Sequence, residues 1–151
     1  MKLYSIKKSN IDNKGRGLYA TKNIRSGTKI INYKGKIITN KQLDRSDKYD
    51  NGKPIYLFTL NNRYTLDGDF SWNIAGLVNH SCNPNSEYES KGFKVWITAI
   101  KDIKQGEEIT CDYGFSFDKD YKQFPCNCNS INCCGYIVQE VSRWRINKKF
   151  A

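Results

Sequence analysis

The chain has 151 residues, with 25 lysines and arginines against 15 acids, a formal charge of +10 and a pI near 9.3. That length suits one domain with an ordinary core, and 38% hydrophobic with 26% charged residues excludes a disordered chain. No stretch reaches the roughly 20 apolar residues of a membrane-spanning helix. The start, Met1-Lys2-Leu3-Tyr4-Ser5-Ile6-Lys7-Lys8, has no apolar run of signal-peptide type, which predicts a protein made and kept in a cytosol. The charge suits nucleic acid, chromatin or an anionic cofactor. It equally suits a solvated lysine-rich surface, because the lysines are spread along the chain.

In chain order, turn signals punctuate the first third: Asp12-Asn13-Lys14-Gly15, Ser26-Gly27, Lys34-Gly35 and Asn51-Gly52. β-Branched runs between them predict strands over residues 28–33 and 36–39. A short polar helix is predicted over residues 40–47. Tyr56, Phe58 and Leu60 alternate with Leu57 and Thr59, and Asn61-Asn62 then turns the chain into a strand over 63–66. Another strand spans 93–100, with Phe93, Val95, Ile97 and Ala99 on one face and Lys94, Trp96 and Thr98 on the other. A second helical stretch spans 138–146, with Val138, Val141 and Ile146 apolar and Trp144 alongside. The pattern is mostly β with many short strands and little helix, and no βαβ alternation points to a dinucleotide fold.

Cys126-x-Cys128-x4-Cys133 is the strongest local signal. Four of the six cysteines lie between Cys126 and Cys134, and with no export signal such a cluster reads as metal ligands, not disulfides. Structural zinc takes four tetrahedral thiolate or imidazole ligands, and Asn127, Asn129 and Ser130 let the chain wrap one ion. Cys134, Cys111, His80 and Cys82 are the candidates for the fourth ligand. Cys134 is disfavoured because adjacent residues rarely reach one metal.

Other segments are weaker alone. Gly15-Arg16-Gly17 lets backbone N–H groups approach an anion, but by itself reads as a turn. Asn79-His80-Ser81-Cys82-Asn83-Pro84-Asn85 holds the only histidine in dense polar company, which suits a ligand pocket or an irregular buried crossing. Glu107 and Glu108 read as a solvated turn entering a strand. Tyr113, between Asp112 and Gly114, reads as core, although its hydroxyl can orient an amine and its ring can face a sulfonium.

Taken together, these segments resemble the SET-domain protein lysine methyltransferases. The order matches throughout: Gly15-Arg16-Gly17-Leu18-Tyr19-Ala20, Tyr56-Leu57-Phe58-x-Leu60, Asn79-His80-Ser81-Cys82-x-Pro84-Asn85, and Gly106-Glu107-Glu108-x-x-x-Asp112-Tyr113-Gly114. The cysteine cluster, with Gly135, is similar to the post-SET motif, and the nearest likeness is the compact subgroup without a pre-SET region. The resemblance implies a SET-type β-clip of several small curved sheets with a pseudoknot, in which the Asn79-His80-Ser81 segment threads beneath the loop carrying Tyr113. It implies a SET domain over 1–116, a post-SET zinc motif over 117–138, and a tail or short helix over 139–151.

The resemblance also implies S-adenosylmethionine and Zn2+ as cofactors. Gly15, Arg16, Gly17, Asn79, His80, Tyr113 and Phe124 would bind the cofactor. Tyr113 and Tyr56 would be catalytic, with Tyr56, Cys111 and Phe115 lining the substrate channel. The zinc ligands would be Cys82, Cys126, Cys128 and Cys133. The expected reaction methylates a protein lysine, histone tails being favoured over non-histone basic proteins. A silent module binding peptide or chromatin is the remaining alternative.

Three departures from the family pattern shape further expectations. Cys111 stands where phenylalanine or tyrosine is usual, which leaves room for di- or trimethylation. Gly76 replaces an arginine, so a supporting polar contact is either missing or supplied by Arg63 or Arg45. Cys134 replaces another arginine and reads as a spare thiol. Glu87, Glu89, Asp67 and Asp69 are expected to gather around the groove. Non-specific contact with DNA or nucleosomes follows from the charge, and monomer and homodimer stay open. The site of action would be the cytoplasm of a bacterium or a virus-infected cell, or a host nucleus after delivery. Substrate choice is expected in the insert 43–54 and the tail beyond Val138.

Overall fold

The computed structural model describes residues 2–11, 15–45 and 56–150. The turns expected at Asp12-Asn13-Lys14 and Asn51-Gly52, and most of the 43–54 insert, lie outside the described residues. The described elements run β1 (Tyr4–Lys8), β2 (Arg16–Ala20), β3 (Lys29–Tyr33), β4 (Lys36–Thr39), α1 (Asn40–Arg45), β5 (Leu57–Thr59), β6 (Tyr64–Asp67), β7 (Asn79–His80), β8 (Ser86–Lys91), β9 (Lys94–Ala99) and β10 (Glu108–Cys111). Short 3-10 turns cover Ile74–Leu77, Tyr121–Gln123, Glu140–Arg145 and Lys148–Phe150. The mostly β architecture with little helix is as expected.

Two sheets form. The larger has the order β1-β2-β10-β8-β9-β3, with β7 attached to β10. The smaller has the order β4-β6-β5. Alternation along the strands buries Leu18 on β2, Val95 and Ile97 on β9, and Ile109 on β10, each completely. Full burial of such a side chain contributes roughly 1.5–3 kcal/mol. Asn61 makes the β5–β6 turn, its Oδ1 accepting from the backbone N–H groups of Arg63 (2.8 Å) and Tyr64 (3.0 Å).

Helix α1 starts on a reciprocal cap. The backbone N–H of Gln42 donates to Thr39 Oγ1 at 3.1 Å, and the N–H of Thr39 donates to Gln42 Oε1 at 2.9 Å. It is described to Arg45, short of the expected end at 47.

Two expectations need correction. Phe93 is not on a buried strand face; it follows Gly92 in the β8–β9 turn, half exposed, and packs edge-on against Tyr64. Within the 138–146 stretch the helical part is a 3-10 segment over Glu140–Arg145, and the apolar pattern holds only in part: Val138 is fully buried, but Val141 is 75% exposed and Trp144 46%, while Arg143 is 3% exposed. A 3-10 turn has three residues per turn, so the i, i+3 positions Val141 and Trp144 share one face, and that face points to solvent.

Candidate active site and cysteine knuckle

The chain crossing at β7 organises the site. β7 runs parallel to β10, with Asn79 opposite Thr110 and His80 opposite Cys111, and the Ser81 N–H continues the ladder to the Cys111 carbonyl at 3.0 Å. The segment after β10 crosses over it. The backbone N–H of Tyr113 donates to His80 Nδ1 at 3.0 Å, and the Tyr113 hydroxyl donates to the Val78 carbonyl at 2.7 Å. This is the threading expected of the pseudoknot. It also assigns the tautomer of the buried histidine: Nδ1 accepts, so neutral His80 carries its proton on Nε2, which lies 3.7 Å from Cys82 Sγ.

A cavity of about 660 Å³ opens beside this crossing, lined by Arg16, Asn79, His80, Tyr113, Tyr56 and Phe124 among others. The sequence-derived set is therefore largely brought together. Gly15 and Gly17 are not among the lining residues, but they shape the wall. Gly15 has φ +78°, and a Cβ at Gly17 would overlap the Glu108 carboxylate and crowd the Asn79 amide.

That close approach belongs to a polar network. Asn79 Nδ2 donates to the Arg16 carbonyl at 2.9 Å and to Glu108 Oε1 at 2.8 Å, with Ser9 Oγ at 3.3 Å. Ser9 Oγ donates to Glu108 Oε2 at 3.0 Å, and the Tyr19 hydroxyl lies 3.2 Å from the same oxygen. Glu108 is thus no solvated turn residue; it is the acceptor that holds Asn79 at the cavity. Glu107 keeps its turn role, accepting from the Lys104 N–H.

Several channel expectations shift. Cys111 is fully buried in the core cluster and does not line the cavity. Burial pushes its thiol well above the usual range, with Asp112 and Glu87 adding to the rise. Phe115 sits one layer back, its ring 5.8 Å from Tyr113 and 5.1 Å from Phe124. Of the four acids expected at the groove only Asp69 lines it. Asp67 is 1% exposed, and Glu89 accepts from Thr98. Neither Arg63 nor Arg45 lines the cavity beside Gly76. The nearest polar group there is Asn73, whose amide ties the Lys34 N–H to the Gly68 carbonyl and would touch a Cβ on Gly76.

The other wall of the cavity is the cysteine knuckle, through Phe124, Pro125, Cys126 and Asn127. The sulfurs of Cys82, Cys126, Cys128 and Cys133 lie within 4.8 Å of one another, which selects Cys82 from the candidate fourth ligands. A tetrahedral zinc with Zn–S near 2.3 Å separates its sulfurs by roughly 3.8 Å, and Cys82 to Cys126 is 3.9 Å. Backbone N–H groups of Cys82 and Gly135 point at the sulfurs of Cys128 and Cys133, both at 3.4 Å. Such donors stabilise thiolates, so the chemistry of the donor set fits zinc. Sharing a proton with Cys126 pulls the Cys82 thiol down to about 3 despite its burial, helped by His80. The same pairing pushes the Cys126 thiol up. Cys134 stands outside, its thiol donating to the Tyr136 carbonyl at 3.2 Å.

Sequence reasoning missed Ser9, Glu108, Asn73 and Arg143. The second glutamate of the Gly106-Glu107-Glu108 motif was visible, but its partners are 29 to 99 residues away. Arg143 had no local signal at all.

A family model described as the SET domain matches residues 15–114. The chain is 38% identical over 125 residues to "Histone-lysine N-methyltransferase 2D" of Homo sapiens, covering 79% of this chain and 2% of the relative. It is 36% identical over 129 residues to "Histone-lysine N-methyltransferase trithorax" of Drosophila melanogaster, covering 82% and 3%. It is 34% identical over 142 residues to "Putative histone-lysine N-methyltransferase 1" of Plasmodium falciparum, covering 89% and 2%. The chain therefore spans only a few per cent of the length of these relatives. With the threaded β7–β10 crossing, the Tyr113–His80 contact and a family match over 100 contiguous residues, the chain belongs to the SET-domain family.

Proposed function

We propose that the protein is an S-adenosylmethionine-dependent protein lysine N-methyltransferase acting on histone tails. One observation carries the reading. The Tyr113 hydroxyl donates its proton to the Val78 carbonyl at 2.7 Å, beside a cavity walled by Asn79 and His80 on one side and the knuckle on the other. A phenol whose proton is donated to a backbone carbonyl acts toward an incoming amine N–H as an acceptor.

When bound, S-adenosylmethionine supplies an electrophilic methyl group on a sulfonium. The residues of this chain do the rest. Arg16 and the Asn79 amide offer a cation and a backbone-tethered polar edge at one end of the cavity, and Phe124 offers a ring face. A lysine amine, with pKa about 10.4 in water, must lose its proton before it can attack. Burial against apolar groups such as Ile74 and Leu77 favours the neutral amine. Tyr113 then orients the amine, and positioning supplies most of the rate. The four thiols would hold zinc and keep Phe124 and Cys126 against the cavity.

The finer reading is di- or trimethylation. Cys111, two residues before Tyr113, lies in the core and not at the cavity, so this position puts neither a ring nor a phenol into the space beside Tyr113. The +10 charge supports contact with nucleosomal DNA while a tail is engaged.

The test is transfer from labelled S-adenosylmethionine to histones, nucleosomes and other basic proteins, with Tyr113→Phe alongside. Transfer to histones that falls by roughly 100-fold in the variant is expected. Transfer only to non-histone proteins would move the substrate class. Neither transfer nor cofactor binding would replace the enzyme with a binding module. Products that stay monomethylated at long times would refute the finer reading.

A further inference from the structure

The tail beyond the knuckle lies outside the matched residues 15–114, yet it buries one cation between the Cys82 turn and Asp112, the residue before Tyr113. Arg143 sits on the 3-10 segment Glu140–Arg145 and is 3% exposed. A tail that merely closed the core would bury Val141 and Trp144, which instead face solvent. Burying a guanidinium costs several kcal/mol unless its hydrogen bonds are satisfied, and here each nitrogen has a partner. Nε donates to the Val138 carbonyl at 3.0 Å, Nη1 to the Cys82 carbonyl at 2.8 Å, and Nη2 to Asp112 Oδ2 at 3.0 Å.

The three acceptors come from three parts of the chain. Val138 is the root of the tail. Cys82 is the knuckle ligand that follows the threaded β7 segment, and its carbonyl also accepts from Asn132 Nδ2 at 3.0 Å. Asp112 immediately precedes Tyr113, and its Oδ1 accepts the Gly114 N–H at 2.8 Å, so this carboxylate spans the loop on both sides of the tyrosine. A second tie holds the same tail: the Gln139 N–H donates to the Phe115 carbonyl at 2.8 Å.

We infer that Arg143 is a positioning residue for methyl transfer. It clamps the Cys82 turn to the Asp112–Gly114 loop and so fixes where the Tyr113 hydroxyl stands over the cavity. A planar fork is needed to reach three acceptors at once, which lysine lacks. The C-terminal tail is by this geometry a working part of the site. The inference rests on the methyltransferase reading for its kinetic consequence, but not for its geometric one.

The experiment compares the full zinc-loaded chain with Arg143→Met and Arg143→Lys. Steady-state transfer from labelled S-adenosylmethionine to histones, bound zinc, and the ring signals of His80 by NMR are measured together. His80 is the only histidine, so its signals are assigned without ambiguity. The expected result is a fall in kcat of at least about tenfold in Arg143→Met, with KM for the cofactor and zinc content near those of the parent. The His80 ring signals move, and Arg143→Lys recovers part of kcat. Parental kcat in Arg143→Met overturns the inference, as do a fall in KM-controlled binding alone and unmoved His80 signals. If Arg143→Met does not fold, Arg143→Lys decides, because parental kcat there is equally fatal. If the parent itself transfers no methyl group, the functional reading fails, and the His80 signals alone decide the clamp.

Discussion

The two walls of the cavity are built on opposite principles. The β7 wall is held by chain crossing and hydrogen bonds: a parallel ladder to β10, the Tyr113 contacts to His80 and Val78, and the Asn79–Glu108–Ser9 network, all against a core of Leu18, Val78, Ile97 and Ile109. The knuckle wall has almost no apolar interior. Ile131 within it is 98% exposed, and its order comes from four thiols around one point. Polar segments without a core remain ordered only when something else offsets their chain entropy, and in the knuckle the four clustered thiols could supply it by holding a metal. One wall should therefore persist where the other is lost.

The largest expected effect breaks this contrast at the knuckle. Chelation of zinc should abolish methyl transfer while the far-ultraviolet circular dichroism of the sheets survives. Retained transfer in demonstrably zinc-free protein would show that the knuckle is no wall. The same wall should fail toward acid. Ligation requires deprotonated thiols, so zinc affinity falls as pH falls. Zinc release followed with a metal-sensitive dye across pH measures this; an affinity flat in pH would contradict thiolate ligation.

A smaller effect is expected at the hydrogen-bonded wall. Glu108→Leu leaves the Ser9 hydroxyl short of its acceptor and takes one of two acceptors from the Asn79 amide, which keeps the Arg16 carbonyl, and from the Tyr19 hydroxyl, which keeps the Lys8 carbonyl. It should lower unfolding stability by roughly 2–3 kcal/mol and weaken cofactor binding, with zinc content unchanged. Urea unfolding and calorimetry read these separately, and a loss of zinc would mean that the walls are not independent. The smallest effect belongs to Cys134→Ser. Its sulfur lies outside the ligand group and donates to the Tyr136 carbonyl, so zinc stoichiometry should hold and stability should change by less than about 0.5 kcal/mol. A drop in bound zinc would redraw the ligand set.

Much of the knuckle wall was legible because its information is local. Cys126, Cys128 and Cys133 sit within eight residues, and metal chemistry names the ligand types. Strands β3, β4, β5, β6 and β9 were legible for the same reason, since period-two alternation is read over a few residues, as in Val95, Ile97 and Ala99, whereas β1, β2, β7 and β8 were not read. Phe93 escaped because a turn residue beside a strand continues the apolar pattern without continuing the sheet. Val141 and Trp144 escaped because spacing alone does not say which face a neighbour will cover. Glu108 was read as a turn carboxylate because an acid after glycine is usually solvated; its burial beside Asn79 is decided by a strand pairing that local sequence does not reveal.

By itself the sequence determined the mostly β character and the three clustered thiols, because each depends on residue type and short spacing. The tertiary structure picked out, among the candidate fourth sulfurs, the Cys82 that the resemblance implied, and alone decided that Cys111 lies in the core and not at the cavity and that Glu108 and Arg143 bond to distant parts of the site. Those facts rest on contacts between residues as far as 99 apart, set by which strands cross and pair. No local periodicity carries that choice, because it is made by the packing of the whole chain at once.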